Sequence, residues 1–270
     1  MDETELIELN RQIRADILAM LHECKSGHPG GSLSCVEIIA TLYFQVMRID
    51  PRRPGWEERD RFVLSKGHAA PTLYAVLARQ GFFPTAELLM LRKLGSRLQG
   101  HPDMRKTPGV DASTGSLGQG VSIAVGMALG AKLKQKTYQV YAVLGDGEMQ
   151  EGEVWEAAMA ASHYHLDNLT LILDYNRLQI DGPNDQVMSL GDIGQKMAAF
   201  GFAVSDVDGH SVRELRDACT AVAADRPKFI IAHTVKGKGV SFMENQLGWH
   251  GKAPGDEETT KALSELRGVC

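Results

Sequence analysis

Thiols are scarce in this sequence. The four cysteines, Cys24, Cys35, Cys219 and Cys270, form no CxxC pair and no metal-finger spacing, so neither a disulfide framework nor a zinc module is expected. No apolar run approaches the roughly 18 residues that a bilayer-spanning helix needs. The N-terminus, Met1 to Arg14, is acidic where a secretory leader would be basic and then apolar. An excess of basic charge is missing too: 29 Lys and Arg stand against 34 Asp and Glu, a net charge of −5 that argues against a broad nucleic-acid face. There is no internal repeat, low-complexity tract or Pro/Ser-rich linker. These absences leave a cytoplasmic globular protein with no membrane or nucleic-acid partner.

What remains is ordinary in bulk and patterned in detail. The chain has 270 residues, 43% hydrophobic and 23% charged, enough for one large domain with its own core. Leu6, Leu9, Ile13, Ile17 and Leu21 recur at helical spacing and predict an opening amphipathic helix that stops at Ser26-Gly27-His28-Pro29-Gly30-Gly31. A second helix is expected from about Ser34 to Val46, a short strand at Arg61 to Leu64, and a helix through Leu73 and Leu77. Strand signals follow at Val140 to Leu144, Leu169 to Leu173, Ala203 to Val207 and Phe229 to Ala232. Helices are expected between them at Glu153 to Tyr164 and Val212 to Val222. Short apolar strands alternating with helices predict a mainly parallel sheet covered on both faces, an α/β fold. One domain is expected over residues 1–251. Residues 252–270 form a tail in which Asp256 to Arg267 resembles a solvated helix.

Parallel sheets bind ligands just beyond the carboxyl ends of their strands. Two such ends carry oxygen ligands: Gly145-Asp146-Gly147 after one strand and Asp174-Tyr175-Asn176 after the next. If those strands are close in the sheet, Asp146 and Asn176 can converge on one hard cation, and Mg2+ suits a carboxylate, an amide oxygen, a carbonyl and phosphate oxygens. Taken singly, a Gly-Asp-Gly turn is a turn and Asn176 a loop residue.

Four of the nine histidines sit in glycine-flanked turns: Gly27-His28-Pro29, Gly67-His68-Ala69, Gly100-His101-Pro102 and Trp249-His250-Gly251. Imidazole can hydrogen-bond phosphate or sugar oxygens and can move protons near neutral pH. Whether the four meet in space is not legible from spacing. The basic loop Val235-Lys236-Gly237-Lys238-Gly239 could neutralise phosphate or could be a flexible surface loop. Gly115-Ser116-Leu117-Gly118-Gln119-Gly120 does not fit GxGxxG and follows no strand, which disfavours a dinucleotide site.

Gly145-Asp146-Gly147, followed by a helix, a strand and Asn176, resembles the signature of thiamine-diphosphate enzymes. Ser26-Gly27-His28-Pro29-Gly30, Lys66-Gly67-His68, Gly100-His101-Pro102, Thr114 to Gly120, Gly145 to Gly152 and Gln179-Ile180-Asp181-Gly182 together resemble the transketolase motifs in their usual order. The resemblance implies thiamine diphosphate, with Mg2+ (or Ca2+ or Mn2+) held by Asp146, Asn176 and the carbonyl of Leu178. It implies that His68, Gly115, Ser116, Leu117, Gly145, Gly147 and His250 contact the cofactor. His101 would hold the donor sugar, with His28 and His250 lining the sugar channel and assisting proton transfer. Glu151 and Glu156, otherwise plain helix-start carboxylates, would be buried interface acids linking paired sites.

Three departures stand out. Many longer transketolases carry Pro where Ser116 stands and Asp where Tyr175 stands. A full transketolase also continues into a pyrimidine-binding domain, which supplies the glutamate for the aminopyrimidine and the arginines for the sugar phosphate, and neither has a matching motif here. The resemblance therefore implies a separate C-terminal subunit, an α2β2 assembly, and transfer of a two-carbon ketol unit between sugar phosphates. Other expectations of the same type are a deoxyxylulose-phosphate synthase-like or 2-oxoacid dehydrogenase E1-like component, or a non-catalytic cofactor-binding subunit.

Overall fold

The computed structural model describes residues 1–268. Cys270 lies outside them; Cys24, Cys35 and Cys219 are free thiols. Helix α1 (Glu3–Cys24) opens on a capping box between Asp2 and Glu5 and ends at Lys25 in the left-handed conformation. Then come α2 (Pro29–Ser34), α3 (Val36–Thr41), β1 (Arg61–Leu64), α4 (Ala70–Gln80), α5 (Gln119–Leu133), β2 (Val140–Gly145), α6 (Gly152–His163) and β3 (Leu169–Tyr175). A two-stranded hairpin, β4 (Leu178–Gln179) and β5 (Gly182–Pro183), leads to α7 (Asn184–Val187) and α8 (Ile193–Ala199). The chain closes with β6 (Ala203–Asp208), α9 (Val212–Thr220), β7 (Lys228–His233) and α10 (Asp256–Leu266).

The expected strands all form, within a residue or two of their predicted ends. The second helix differs. It starts earlier, with Pro29 pre-set at its first turn. It breaks at Cys35 and ends in a wide turn, Leu42–Val46, closed by the Met47 N–H on the Leu42 carbonyl at 2.8 Å. Three helices, α5, the four-residue α7 and α8, had no counterpart among the predicted elements. In α5 the apolar and small residues run all round the helix, so no polar face marks its period.

Five strands build one parallel sheet in the order β1-β2-β3-β7-β6. Alternate residues feed two separate cores, as the two-residue period of a strand requires. Phe62, Leu64, Tyr141, Val143, Ile172, Ile230 and Ala232 join the core packed under α1, α3, α4 and α9. Val63, Ala142, Leu144, Leu171, Leu173, Phe229 and Ile231 join the core under α5, α6 and α8. The closing helix is solvated on one face only: Thr259 and Ala262 are buried and the helix lies against α1.

This topology opens a crevice. The chain leaves β3 toward α8 on one face of the sheet and leaves β7 toward α10 on the other. Neighbouring strands whose exits diverge leave a gap at their carboxyl ends, where open α/β sheets bind ligands.

Candidate functional site

A cavity of about 360 Å3 lies at that gap. β2 and β3 are paired with Gly145 opposite Asp174, so the two oxygen-bearing exits expected from sequence stand side by side. Asp146, Asn176 and Leu178 all line the cavity, with Gly145, Gly147, Gly115, Leu117 and Glu151.

The Asp146 carboxylate is 3% exposed and accepts the backbone N–H of Gly147 at 2.8 Å and that of Arg177. It has no ion-pair partner within 4.0 Å among the described residues. Burial, reinforced by the negative charge of Asp174, pushes its pKa up to about 6. A buried carboxylate short of positive charge suits a cation. Among the described residues no three His, Cys, Asp or Glu converge as a metal cluster. The candidate set is instead one carboxylate, one amide and one carbonyl, a hard-oxygen set for Mg2+ rather than a zinc-type one.

Three of the four histidine turns meet. The rings of His28, His68 and His250 form a triangle with centroids 5.3, 5.7 and 5.6 Å apart, though they come from distant parts of the chain. Burial, then the charge of Arg92, holds His28 down at about 4; burial, then Lys236, holds His250 down at about 4. His68 is held well below the ordinary histidine value by burial and then Lys66. All three are neutral near pH 7, and a neutral imidazole presents one donor and one acceptor. His28 Nδ1 is buried with no partner, a polar atom aimed at nothing the protein itself supplies. His250 Nδ1 lies 2.9 Å from the Lys236 ammonium, so it accepts and leaves Nε2–H free to donate.

His101 stands next to this group rather than in it. Its ring packs against Gly115, where an added Cβ would lie 3.2 Å from the imidazole and where φ is +154°. Its own exposed side faces a neighbouring hollow lined also by Asp103, Ile123 and Met127. Ser116 and Glu156 are exposed and line no part of the main cavity; Glu151 lines it but is exposed in the single chain.

Asp174, Lys66 and Glu148 were not among the expected site residues, and the sequence had left the Lys236 loop open between phosphate binding and a surface role. Asp174 is wholly buried and paired with the Lys66 ammonium, and it accepts from Ser34 Oγ at 2.6 Å and from Thr234 Oγ1. Lys66 Nζ also donates to the Gly31 carbonyl at 2.7 Å, which ties β1, α2 and β3 together beneath the cavity. Lys236 Nζ donates to the Leu178 carbonyl at 2.9 Å; burial pulls its pKa down to about 8 against the pull of Asp146. Glu148 accepts the N–H groups of Gly118 at 2.9 Å and Gly145 at 3.0 Å, and burial raises its pKa. The signal available for Lys66 was the rule already applied to Asp146, a polar residue just past a strand end.

By fold and cavity this is an α/β domain of the kind that takes its ligand at the carboxyl edge of a parallel sheet. Residues 3–268 match the family described as transketolase, thiamine diphosphate binding domain. The chain is 45% identical over 265 residues to the 6-deoxy-6-sulfo-D-fructose transketolase subunit SqwG of Clostridium sp. (strain MSTE9), covering 96% of each protein. It is 40% identical over 267 residues to an apulose-4-phosphate transketolase subunit from Phocaeicola vulgatus, covering 98% of this chain and 95% of that one. Against the crystal structure of transketolase from Campylobacter jejuni the TM-score is 0.93 at 34% identity, over 99% of this chain and 43% of that chain. The chain therefore belongs to the transketolase thiamine diphosphate-binding domain family, and it spans less than half the length of that solved transketolase.

Proposed function

We propose that this chain grips the metal and diphosphate of thiamine diphosphate as one subunit of a two-chain transketolase. The observation that carries this is the cavity itself, where Asp146, Asn176 and the Leu178 carbonyl stand beside His28, His68, His250 and two lysines. Asp146 would hold Mg2+ (or Ca2+ or Mn2+) with Asn176 and Leu178, and the cation would bind the diphosphate. Lys236 would move off the Leu178 carbonyl toward phosphate oxygens, and His68 would donate to them. Gly115 and Leu117 would pack against the cofactor.

The cofactor, when bound, supplies the carbon nucleophile that carries a two-carbon unit between sugars. The protein's share is positioning and proton handling. His101, His28 and His250, each edged by glycine, would hydrogen-bond the donor ketose and move its hydroxyl proton as the C2–C3 bond breaks. The same protons return as the new carbon–carbon bond forms on the acceptor aldose. Substrates are sugar phosphates or similarly anionic sugars.

A separate C-terminal subunit would supply the acid for the aminopyrimidine and the cations for the sugar's anionic end. Two relatives of the same extent as this chain bear the word subunit in their names, which supports that division. An α2β2 assembly follows, with Glu151 and Glu156 at the interface between chains. Pairing with the pyrimidine chain would give ketol transfer in the pentose phosphate manner, in the cytoplasm. The test is calorimetric titration of thiamine diphosphate with Mg2+ into the assembled enzyme. Asp146→Ala should abolish metal-dependent binding, and near-normal affinity would overturn the assignment.

A further inference from the structure

Behind the cavity, and outside its lining, three titratable side chains from three elements meet in the interior. Arg14 of α1 and Glu37 of α3 form a forked pair, Nη1 to Oε1 at 2.7 Å and Nη2 to Oε2 at 2.8 Å. Both side chains are nearly buried, at 6% and 10% exposed. His210, in the turn between β6 and α9, places Nδ1 2.9 Å from Glu37 Oε2. Its other nitrogen, Nε2, accepts the backbone N–H of Val235 at 2.9 Å. A backbone N–H can only donate, so Nε2 carries no hydrogen and the ring hydrogen sits on Nδ1, facing the carboxylate. Burial pushes Glu37 upward, but the charge of Arg14 and the hydrogen bonds from His210 and Arg14 prevail and hold it at about 2.

A buried ion pair adds little net stability, because desolvation offsets most of the attraction. Its use here lies in what it orients. Arg14 Nε donates to the Lys238 carbonyl at 2.8 Å, and Gly239, at φ +91°, lies so close that a Cβ would come within 2.9 Å of Arg14 Cδ. The Gly237 N–H donates to the Gly30 carbonyl at 3.0 Å. Residues 235–239 belong to no helix or strand, and side chains and backbone hold them: besides these bonds, the Lys236 carbonyl accepts the Asn245 N–H at 2.9 Å and the Gly239 N–H donates to Glu244 Oε1 at 2.9 Å. Lys236 stands between the two grips that trace back to Glu37, and its ammonium reaches Leu178 and His250 in the cavity.

We propose that His210, oriented by the Glu37–Arg14 pair, is a positioning residue that holds the 235–239 loop so that Lys236 projects into the cavity. The residue touches no ligand itself. The anchoring claim concerns the ligand-free chain, and only its effect on affinity rests on the reading of the cavity as a thiamine diphosphate site.

Two near-isosteric variants separate anchoring from general support. The side-chain amide of His210→Asn reaches only the Nδ1 position, so it can meet Glu37 but not Val235. The amide of His210→Gln reaches the Nε2 position and can accept the Val235 N–H. Amide hydrogen exchange on the ligand-free chain is the first readout. His210→Asn should speed exchange across residues 235–239 by about tenfold or more while amides of β7 stay protected, and His210→Gln should stay near wild type. Titration of thiamine diphosphate with Mg2+ into the assembled enzyme is the second readout. Affinity should fall about tenfold in His210→Asn, as for other supporting residues one step from a ligand, with no further fall when it is combined with Lys236→Met. Equal exchange in the Asn and Gln variants, or losses that add to that of Lys236→Met, would overturn the proposal. If wild type itself binds no thiamine diphosphate, the cofactor reading fails, while the exchange comparison still decides this one.

Discussion

Replacing Asp146 by Asn should make the metal-free chain more stable while destroying its metal response. A carboxyl raised by the fold from 3.8 to about 6 carries a penalty of about 3 kcal/mol once it is ionised in both folded and unfolded states. The sign follows from the direction of the shift. The folded value lies above the unfolded one, so the contribution is present below pH 4 and is lost as pH rises through about 6. Asn cannot ionise and escapes that loss. It keeps one acceptor for Gly147 but turns an amide toward the Arg177 N–H, which costs about 1 kcal/mol. The metal-free Asp146→Asn chain should thus exceed wild type by about 2 kcal/mol at pH 8, and the gap should close as pH falls toward 4. Urea unfolding in chelator at several pH values measures the gap. Adding Mg2+ should then raise wild type alone, and more strongly above pH 6 than below it, because the ligand must be deprotonated. A variant no more stable relative to wild type at pH 8 than at pH 4.5 would refute the reasoning.

Other expectations concern neighbouring groups. Asp174→Asn leaves the Lys66 ammonium buried without its counter-charge and should cost about 3–5 kcal/mol in urea unfolding, whereas breaking an exposed pair such as Lys93–Glu23 should leave stability nearly unchanged. Asn176→Ala removes a neutral ligand and should weaken metal-dependent cofactor binding less than Asp146→Ala does in the same titration. His28→Ala and His101→Ala should keep cofactor affinity and lose turnover or donor affinity, while His68→Ala should weaken cofactor retention. Steady-state kinetics with varied donor separate these, since a contact made only in the transition state lowers kcat and kcat/KM together.

The sheet was readable because its central strands are short, apolar and ended by a polar or glycine turn, as at Val140 to Gly145 and Leu169 to Tyr175. Helix α5 was not, since Gly126, Gly130, Ile123 and Leu133 put small and apolar groups where a polar stripe would normally mark a surface helix. The nearness of Asp146 and Asn176 needed only that β2 and β3 be neighbours, which a short crossover favours in any α/β chain. The histidine triangle needed three long-range closures, between residues near 28, 68 and 250, and no spacing rule supplies those. Lys236 was ambiguous for the same reason: its loop is basic and glycine-rich in either setting, and it takes the bonds to Gly30, Arg14, His210, Glu244 and Asn245 to distinguish a held loop from a loose one.

The central claim is that this chain carries the diphosphate end of a transketolase site that a second chain completes. Its most direct test is ketol transfer from xylulose 5-phosphate to ribose 5-phosphate, with thiamine diphosphate and Mg2+. The purified chain should be assayed alone and after mixing with a chain that carries the pyrimidine-binding domain, with mass in solution followed in parallel. The account predicts no transfer by the chain alone, and transfer appearing together with a complex containing two copies of each chain. Robust transfer by the single purified chain would contradict it.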